Sequence, residues 1–491
     1  MAGSTFADTE GAAGAALVRL FERQRAAFAR DPWPDHAMRV ARLRLLLRAV
    51  LEHREEIAAA VNADFGGRSW HETMLVDVFG VVSLIRYTIA NLRRWMRPQR
   101  RRVELFLQPA RAEVWFQPKG VVGIIAPWNY PLYLSLGPLS AALAAGNRAI
   151  VKPSEAVPAT SDVIARMLSG VFDEDLVAVA IGGHDVAASL SALPLDHLFF
   201  TGSAAAGRAV MRSAAEHLTP VTLELGGKSP LIVHRDYPVP KAVKRLVAGK
   251  FFNAGQTCVA PDYALVHRER SDEFVAELER QIGLAYPGVD DNPDFASIVD
   301  DRHHARLLGL IADARAKGAR IVEVVPGARE SGATSRRIGP TLVLDVDNSM
   351  TVMREEIFGP VLPIVTYESL DAAIAFVNGQ PRPLSLYYFD DNRSRSRRVL
   401  QRTLSGAACI NEAALHVLDA DLPFGGVGAS GFGAYHSEAG FRTFSHARAV
   451  LSRGRINPAD LLAPPYGRLF ERFLALVIGS TNEKKRTGPR P

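Results

Sequence analysis

A cysteine lies in a turn-like stretch, FFNAGQTCVAPD, at residues 251–262. Cys258 is one of two cysteines in 491 residues, and a thiol acts as a nucleophile only after its usual pKa of about 8.5 is lowered. A turn after a helix would bring backbone N–H groups to the sulfur. Free cysteines are usually buried and inert, but neighbours such as Asn253 and Gln256 are unsuited to a core strand. The pattern predicts a nucleophile at Cys258, whereas Cys409, in GAACINEAAL, fits an inert core cysteine.

One carboxylate could serve this cysteine. Glu224 follows an apolar strand in TLELGG, upstream of Cys258, and no histidine and asparagine pairing stands out nearby. Glutamate is depleted in strands and costly to bury. A general base that activates water is therefore one interpretation, and a solvated loop charge is an alternative of about equal weight.

An amide donor is the next candidate. In APWNYPLYL, Asn129 stands between two prolines directly after a strand. The stiffened backbone suits an N–H₂ group that stabilises a developing oxyanion, although an asparagine that merely forms a turn is the commoner case. We expect Tyr130, beside it, to line a substrate tunnel.

Signals for a dinucleotide are present but nonstandard. FFTGSAAAGRAV has Gly202 and Gly207 at a strand-to-helix junction, where helix N–H groups can meet a pyrophosphate, but the G-x-G-x-x-G pattern is absent. IVKPSE supplies Lys152 and Glu155 at another strand end, and these residue types can hold ribose hydroxyls. Taken singly, each is equally compatible with a surface lysine or a solvated acid.

A further candidate for cofactor contacts is EEIFGPVLP, which places Glu356 and Phe358 beside a Gly-Pro turn. A carboxylate there could hold a second ribose, and the ring could support a flat nicotinamide. The ordinary alternatives are a solvated acid and a core phenylalanine.

The elements that must position these residues form an α/β pattern. Over about residues 15–97, apolar residues recur at spacings of three and four residues, which predicts helices. Short β-branched runs then alternate with helices, which predicts a parallel sheet in a nucleotide-binding domain, and a second α/β series begins near residue 226. VELFLQPARAEVWFQP, at 103–118, predicts a hairpin with which the alternating GFRTFSHARAVLS could pair.

Composition narrows the class of protein. With 48% hydrophobic residues and a net charge of +6, the chain can bury a large core and needs no nucleic acid partner. It has no zinc-finger spacing, no convincing signal peptide and too few cysteines for a disulfide framework, which predicts no metal site and a cytoplasmic location. FLALVIG, at 473–479, is too short to span a membrane, and packing on the core is favoured over resting on a membrane surface.

The motifs together resemble the NAD(P)-dependent aldehyde dehydrogenase superfamily. PWNYP, KPSE, FFTGS, ELGGKSP, NAGQTC, EEIFGP and PFGGVGASGFG occur in the family's order over about residues 20–455. TCVAPDY, PLSLYYF and GAYHSEAGFRTFSH are similar to the class 3 branch, and within it to the coniferyl aldehyde dehydrogenases. The acidic residue of the family's GSTEVG loop is missing from GSAAAG, which puts the phosphate contacts of this loop in doubt.

The resemblance implies a role for each candidate. Cys258 would be the nucleophile, Glu224 the base for the hydrolytic water, and Asn129 with the Cys258 N–H the oxyanion hole. Lys152 and Glu155 would hold the adenine ribose, and Gly202 and Ser203 would hold the pyrophosphate. Glu356 and Phe358 would hold the nicotinamide ribose and ring. Gly207 flanks the pyrophosphate loop.

The resemblance also implies the fold, the partners and the rival activities. The substrate would be an aromatic or medium-chain aldehyde, the cofactor NAD with NADP possible, and the assembly a homodimer without firm membrane association. A CoA-acylating aldehyde dehydrogenase and a non-catalytic structural dimer of the same fold are the alternatives. The implied organisation is a disordered N-terminus (1–15), a Rossmann-type cofactor domain (16–102 and 119–225), an α/β catalytic domain (226–436), bridging strands for oligomerisation (103–118 and 437–455) and a tail (456–491).

Overall fold

The computed structural model describes residues 12–104, 107–325, 336–454 and 463–479. The chain divides into two compact units, Met1–Trp95 with Gln117–His446, and Met96–Phe116 with Ala447–Pro491.

Helices open the first unit, as the periodicity predicted. They are α1 (Ala12–Arg30), α2 (His36–Glu52), α3 (Arg54–Phe65), α4 (Trp70–Glu72) and α5 (Gly80–Trp95), with a π-helical turn at Thr73–Phe79. The expected disorder of residues 1–15 is wrong for residues 12–15, because the alanine-rich AAGAAL favours helix. Residues 1–11 lie outside the described residues.

One continuous helical stretch, Trp70–Trp95, is long and apolar enough to cross a membrane by length and composition. Half of its most apolar window is buried within the protein, and a core helix passes the same test. The stretch contacts α2 and the helix Pro131–Ala145, so its apolar residues form part of the packing of the first unit.

In the described part of the chain, six strands form the first sheet: β3 (Val121–Ile125), β4 (Arg148–Lys152), β5 (Val177–Val179), β6 (His197–Gly202), β7 (Val221–Leu225) and β15 (Gly431–Phe432). Helices α6 (Pro131–Ala145), α7 (Pro158–Ser169), α8 (His184–Ser191) and α9 (Ala204–Ala215) alternate with the first five strands. These five are parallel in the order β7-β6-β3-β4-β5, as predicted, and β15 pairs antiparallel with β7. Thus a strand from the expected catalytic range, 226–436, completes the expected cofactor sheet.

A second sheet follows, with seven strands among the described residues: β8 (Pro230–Val233), β9 (Tyr263–His267), β10 (Arg320–Glu323), β11 (Thr341–Leu344), β12 (Val361–Tyr367), β13 (Ser385–Phe389) and β14 (Ala407–Ile410). Their order is β10-β11-β12-β9-β8-β13-β14, with only β10 antiparallel to its neighbour. The consecutive residues Leu231 and Ile232 point to opposite faces of the sheet and belong to different apolar clusters, so both faces of the sheet are covered.

The remaining helices of this unit are α10 (Val239–Phe251), α11 (Ser271–Ala285), α12 (Asp301–Ala316), α13 (Thr351–Arg354), α14 (Leu370–Asn378), α15 (Arg393–Arg402) and α16 (Ser437–Thr443). Short 3₁₀ turns occupy Phe252–Gly255, Arg268–Arg270 and Leu415–Leu418. The expected strand 437–455 is wrong over 437–443, where Ser437, Gly440 and Phe441 are buried with helical spacing.

The second unit carries the sheet β1-β2-β16, formed by β1 (Gln99–Arg101), β2 (Ala110–Pro118) and β16 (Ser445–Arg453). As the alternation predicted, β16 joins the hairpin. The first arm of that hairpin is residues 99–101 and not 103–108, and Pro109, which has no N–H to give to a ladder, lies just before β2. Residues 105–106 lie outside the described residues.

The segment 473–479, which was predicted to pack on the core, lies in the second unit. Residues 473–478 belong to α17 (Arg468–Ile478), in which Leu469 and Leu476 are 78% and 83% exposed. The helix is amphipathic, because Arg468, Glu471 and Arg472 lie apart from its apolar residues. The prediction of a core segment was based on the apolar stretch 473–479 alone, which does not include these charged residues.

Candidate active site

Cys258 lies in a turn between α10 and β9, as the sequence predicted. Before it, Asn253 and Ala254 adopt φ values of 51° and 49°. Such left-handed backbone is uncommon for residues other than glycine and is found where surrounding contacts enforce it, often at functional sites. The nucleophile candidate therefore follows a backbone that the fold holds in place.

Two cavities meet at Cys258. One, of about 440 Å³, has among its lining residues Asn129, Gly202, Ser203, Glu224, Cys258, Glu356 and Phe358. The other, of about 240 Å³, is largely apolar and has among its lining residues Leu75, Tyr130, Tyr133, Phe252, Cys258 and Phe424. Because the thiol borders both, a substrate can approach it from one side while a second ligand occupies the other.

Asn129 is joined to the turn that carries Cys258. Its Nδ2 donates to the Gln256 carbonyl at 3.1 Å, and its own carbonyl accepts from Asn253 Nδ2 at 3.2 Å. Next to it, the Tyr130 hydroxyl lies 2.6 Å from Thr257 Oγ1. An amide has two N–H donors, so one of those of Asn129 stays available to a ligand in the larger cavity.

Glu224 is buried near the end of β7, with only 2% of its surface exposed. Neither carboxylate oxygen has a hydrogen-bond partner among the described residues. Burial without a partner raises the pKa of Glu224 well above its usual value. Since the residue also lines the larger cavity, it can exchange a proton with a water molecule there.

The thiol of Cys258 is not in the activating setting that the sequence suggested. Burial raises its pKa to about 12, and the carboxylates of Glu356 and Glu224 add to the rise. The backbone N–H groups of Cys258 and Val259 oppose it, as expected for a turn, but do not outweigh it. The cysteine is therefore a protonated thiol at neutral pH until a base or a bound cation favours the thiolate.

Glu356 reaches the larger cavity from the loop before β12. Burial raises its pKa to about 8, helped by Asp262 and opposed by the Gly227 N–H. A Cβ atom at Gly226 would lie 2.0 Å from the Glu356 carboxylate, so a larger residue there would displace that carboxylate. Phe358 adopts a φ of 53° and packs edge to face on Trp128 at 5.3 Å.

Of the other predicted cofactor residues, some line the larger cavity and some do not. Gly202 and Ser203 line the larger cavity at the start of α9, and Ser203 caps that helix by accepting from the Ala206 N–H. Gly207 instead allows close packing of α9 on β7, since a Cβ there would lie 2.8 Å from Leu225 Cδ2. Lys152 and Glu155, which line neither of the two cavities, are bonded to each other.

Sequence reasoning missed a buried ion pair behind the site. Arg68 and Asp77 lie 3.1 Å apart with no exposed side-chain surface, and Arg68 also donates to the Asn129 carbonyl at 2.9 Å. Asp77 accepts from the N–H groups of Leu132 and Tyr133 at 3.1 and 3.2 Å. The available signal was Asp77, a charge within the apolar helical stretch Trp70–Trp95, with Arg68 in the loop just before that stretch. Such charges are rarely buried unless they are paired inside the protein.

Within the ranges that the structure describes, no group of three or more His, Cys, Asp or Glu side chains could hold a metal ion. Around the two cavities the protein supplies a thiol, two buried carboxylates and an amide donor.

We expect catalytic efficiency to rise with pH over about pH 6 to 9. As the predicted nucleophile and base, Cys258 would react as a thiolate and Glu224 as a carboxylate. The pKa of each is raised in the folded protein, so the reactive forms accumulate as pH increases. The measurement is kcat/KM against pH with enzyme shown to be stable at every pH. A profile that falls over this range would contradict the assignment of either group.

The α/β fold, with a thiol, two buried carboxylates and an amide donor around two cavities that meet, has the arrangement of an enzyme site. The chain belongs to the aldehyde dehydrogenase family, whose model matches residues 2–450. It is accordingly an oxidoreductase. Both the resemblance and the fold class predicted from the sequence are confirmed.

Individual relatives agree with this membership. The coniferyl aldehyde dehydrogenase of Pseudomonas sp. is 45% identical over 445 residues, covering 90% of this chain and 92% of the relative. The substrate-bound AldH structure from Staphylococcus aureus is 37% identical with a TM-score of 0.88, covering 94% and 99% of the two chains. The aldehyde dehydrogenase of Mycobacterium tuberculosis, solved with NAD+, is 30% identical with a TM-score of 0.83, covering 90% and 91%.

Proposed function

We propose that the protein oxidises an aromatic or medium-chain aliphatic aldehyde, with coniferyl aldehyde as one candidate, to the carboxylic acid with NAD+. The observation that carries the proposal is the position of Cys258 between an apolar cavity and a larger one that Asn129 and Glu224 also line. The coniferyl aldehyde dehydrogenase relative supports the substrate class, and the relative solved with NAD+ supports the cofactor.

The larger cavity fits a nicotinamide dinucleotide. Thr201 Oγ1 is buried there without a hydrogen-bond partner among the described residues, beside the α9 N-terminus whose N–H groups suit a pyrophosphate. Gly202 and Ser203 would hold the pyrophosphate, and Glu356 and Phe358 the nicotinamide ribose and ring. When bound, NAD+ accepts the hydride that leaves the substrate carbon.

For the adenine end we propose Lys152 and Glu155, with Gly207 keeping α9 close to the sheet. The Glu155 carboxylate would repel a 2′-phosphate, which favours NAD over NADP without excluding NADP. The NADP-dependent enzyme of E. coli among similar structures shows that this fold accommodates either.

The reaction at Cys258 begins when its thiolate forms a bond to the aldehyde carbon. The carbonyl oxygen becomes an alkoxide, which receives hydrogen bonds from Asn129 Nδ2 and the Cys258 N–H. After oxidation a thioester remains on the sulfur. Glu224 then takes a proton from water, the resulting hydroxide equivalent attacks the thioester carbon, and the C–S bond breaks to release the acid and regenerate the thiolate.

Replacing Asn129 with alanine is expected to lower kcat by about 10²- to 10³-fold, because the alkoxide loses its side-chain donor. The KM for NAD+ should change little. Steady-state kinetics with an aromatic aldehyde check this. The matched control is Asn91→Ala, which removes an amide that donates to the Tyr87 carbonyl of its own helix. An unchanged kcat would remove Asn129 from the oxyanion hole.

The experiment that tests the proposed function is an aldehyde panel run with both cofactors and with product analysis. Benzaldehyde, cinnamyl-type aldehydes and C3 to C10 alkanals would be compared with NAD+ and NADP+, with and without CoA. We expect acid as the product, and aromatic or medium-chain aldehydes with NAD+ as the best substrates. An optimum at acetaldehyde would overturn the proposed substrate class, a strong NADP+ preference the proposed cofactor, and acyl-CoA as the product the proposed hydrolysis. Absence of NADH formation would favour a structural dimer.

We further infer a cytoplasmic homodimer that uses a small-molecule aldehyde, with no nucleic acid partner. Two free cysteines agree with a reducing compartment, and the largely exposed strand β16, at the edge of its sheet, offers a surface to a second copy. Light scattering of the purified protein checks the dimer, and a monomeric mass would contradict it.

A further inference from the structure

Glu72 is a buried carboxylate beside the active site that lines neither of the two cavities. It ends α4, and both of its oxygens lie 3.1 Å from the backbone nitrogen of Asn253. The oxidation chemistry described above gives it no task. A carboxylate with only 7% exposure is costly to bury, so its contact with this one N–H group calls for a reason.

Asn253 occupies a central position in the site. Its φ of 51° belongs to the left-handed region, which L-residues adopt when contacts hold them there. Its side-chain Nδ2 donates to the carbonyl of Asn129 at 3.2 Å and to that of Gln256 at 3.3 Å. A single residue thus links the segment that carries the amide donor to the turn that carries Cys258.

We propose that Glu72 is a positioning residue, whose carboxylate holds the Asn253 N–H and thereby fixes the left-handed turn that sets Cys258 and Asn129 relative to each other. The proposal rests on the proposed function for the roles of those two residues. It assigns no contact between Glu72 and the substrate or cofactor.

The surroundings of Glu72 show why a carboxylate and not an apolar side chain stands here. Burial raises its pKa to about 7, Arg68 and the Asn253 N–H lower it, and Asp294 raises it. The phenols of Tyr130 and Tyr286 are also close enough to feel its charge. Glutamine at this position keeps one acceptor oxygen for Asn253 but removes the charge, whereas alanine removes both.

The test compares Glu72→Ala and Glu72→Gln in the full chain with Glu56→Ala, which removes an exposed carboxylate paired with Arg166 on the neighbouring helix. We expect Glu72→Ala to lower kcat by about 10²-fold, the effect of misplacing reacting groups by about 1 Å. Glu72→Gln should have a kcat much closer to that of the wild type than Glu72→Ala, and the kcat of Glu56→Ala should equal that of the wild type. The KM for NAD+ should stay within about twofold in all variants, because the residues proposed to hold the cofactor do not contact Glu72.

Iodoacetamide labelling of Cys258, quantified by peptide mass spectrometry, separates positioning from loss of folded protein. Unfolded protein exposes its thiol and labels faster than folded protein, so we expect the Glu72→Ala protein to label in one phase and more slowly than the wild type. If its kcat per slowly labelled Cys258 equals that of the wild type, the positioning role is wrong. Failure of the wild type to oxidise any aldehyde would instead overturn the proposed function, while the labelling rates would still report on the turn.

Discussion

Replacing Cys258 with alanine is expected to abolish aldehyde-dependent NADH formation, with kcat reduced by at least about 10⁴-fold. No other thiol borders either cavity among the described residues, and without the sulfur there is no covalent adduct from which the substrate can be oxidised. The measurement is NADH absorbance at saturating aldehyde and NAD+. Binding of NAD+ should survive, because the sulfur is only one part of the wall of the larger cavity.

The second cysteine supplies a matched control. Cys409 is buried on β14 with its sulfur 3.2 Å from His416 Nδ1, which by geometry alone resembles a thiol with a base. Burial keeps the pKa of Cys409 raised to about 11 and lowers that of His416 to about 4, so the pair stays neutral. Cys409→Ala should retain near wild-type kcat. The assignment of the nucleophile is wrong if Cys409→Ala loses activity and Cys258→Ala keeps it.

Replacing Glu224 with glutamine is expected to separate the two halves of the reaction. The thioester should still form, giving a burst of up to one NADH per active site, but its hydrolysis should slow by about 10³- to 10⁴-fold because no carboxylate takes the proton of water. Glutamine has nearly the same volume, so packing at the end of β7 is preserved. Stopped-flow absorbance records the burst, and intact-protein mass spectrometry records the acyl group on Cys258.

Two comparisons sharpen this result. Glu216→Gln, an exposed carboxylate just beyond α9, should behave as the wild type. Addition of CoA or another thiol should release the trapped acyl group from the Glu224→Gln enzyme, because a thiolate needs no water-activating base. If the variant shows neither burst nor acyl-enzyme, Glu224 acts before thioester formation, and its role as the base for hydrolysis is wrong.

The two expected losses differ in kind because the residues occupy different physical positions. Cys258 is part of every covalent intermediate, so its removal stops the reaction at the first step. Glu224 is buried with a raised pKa and with no hydrogen-bond partner among the described residues, which makes it a strong base once ionised, while Cys258 and Asn129 act in the first step. The rise of activity with pH expected for the wild type should therefore weaken for hydrolysis in the glutamine variant.

Much of the fold could be predicted from the sequence because the relevant signals are local. Helical spacing over the first hundred residues, alternating strands and helices after residue 119, and the turn at Cys258 all reflect neighbours in the chain. Where local signals were ambiguous, a prediction failed: residues 440–443 alternate like a strand but belong to the helix Ser437–Thr443, and the apolar residues of α17 are exposed among the described residues. Both cases depend on what lies opposite the segment, which a periodicity cannot state.

By itself, the sequence determined the residue types available for chemistry and their order along the chain, and hence the family. Only the tertiary structure decided that Cys258 borders two cavities, that its pKa is raised, that Glu72 accepts from the Asn253 N–H, and that the Arg68–Asp77 pair lies behind Asn129. The physical reason is that burial and pairing of charges arise between segments far apart in sequence. In the sequence, a lone glutamate or arginine is predicted to be a surface charge. Only folding removes the water around it and brings its partners from other segments.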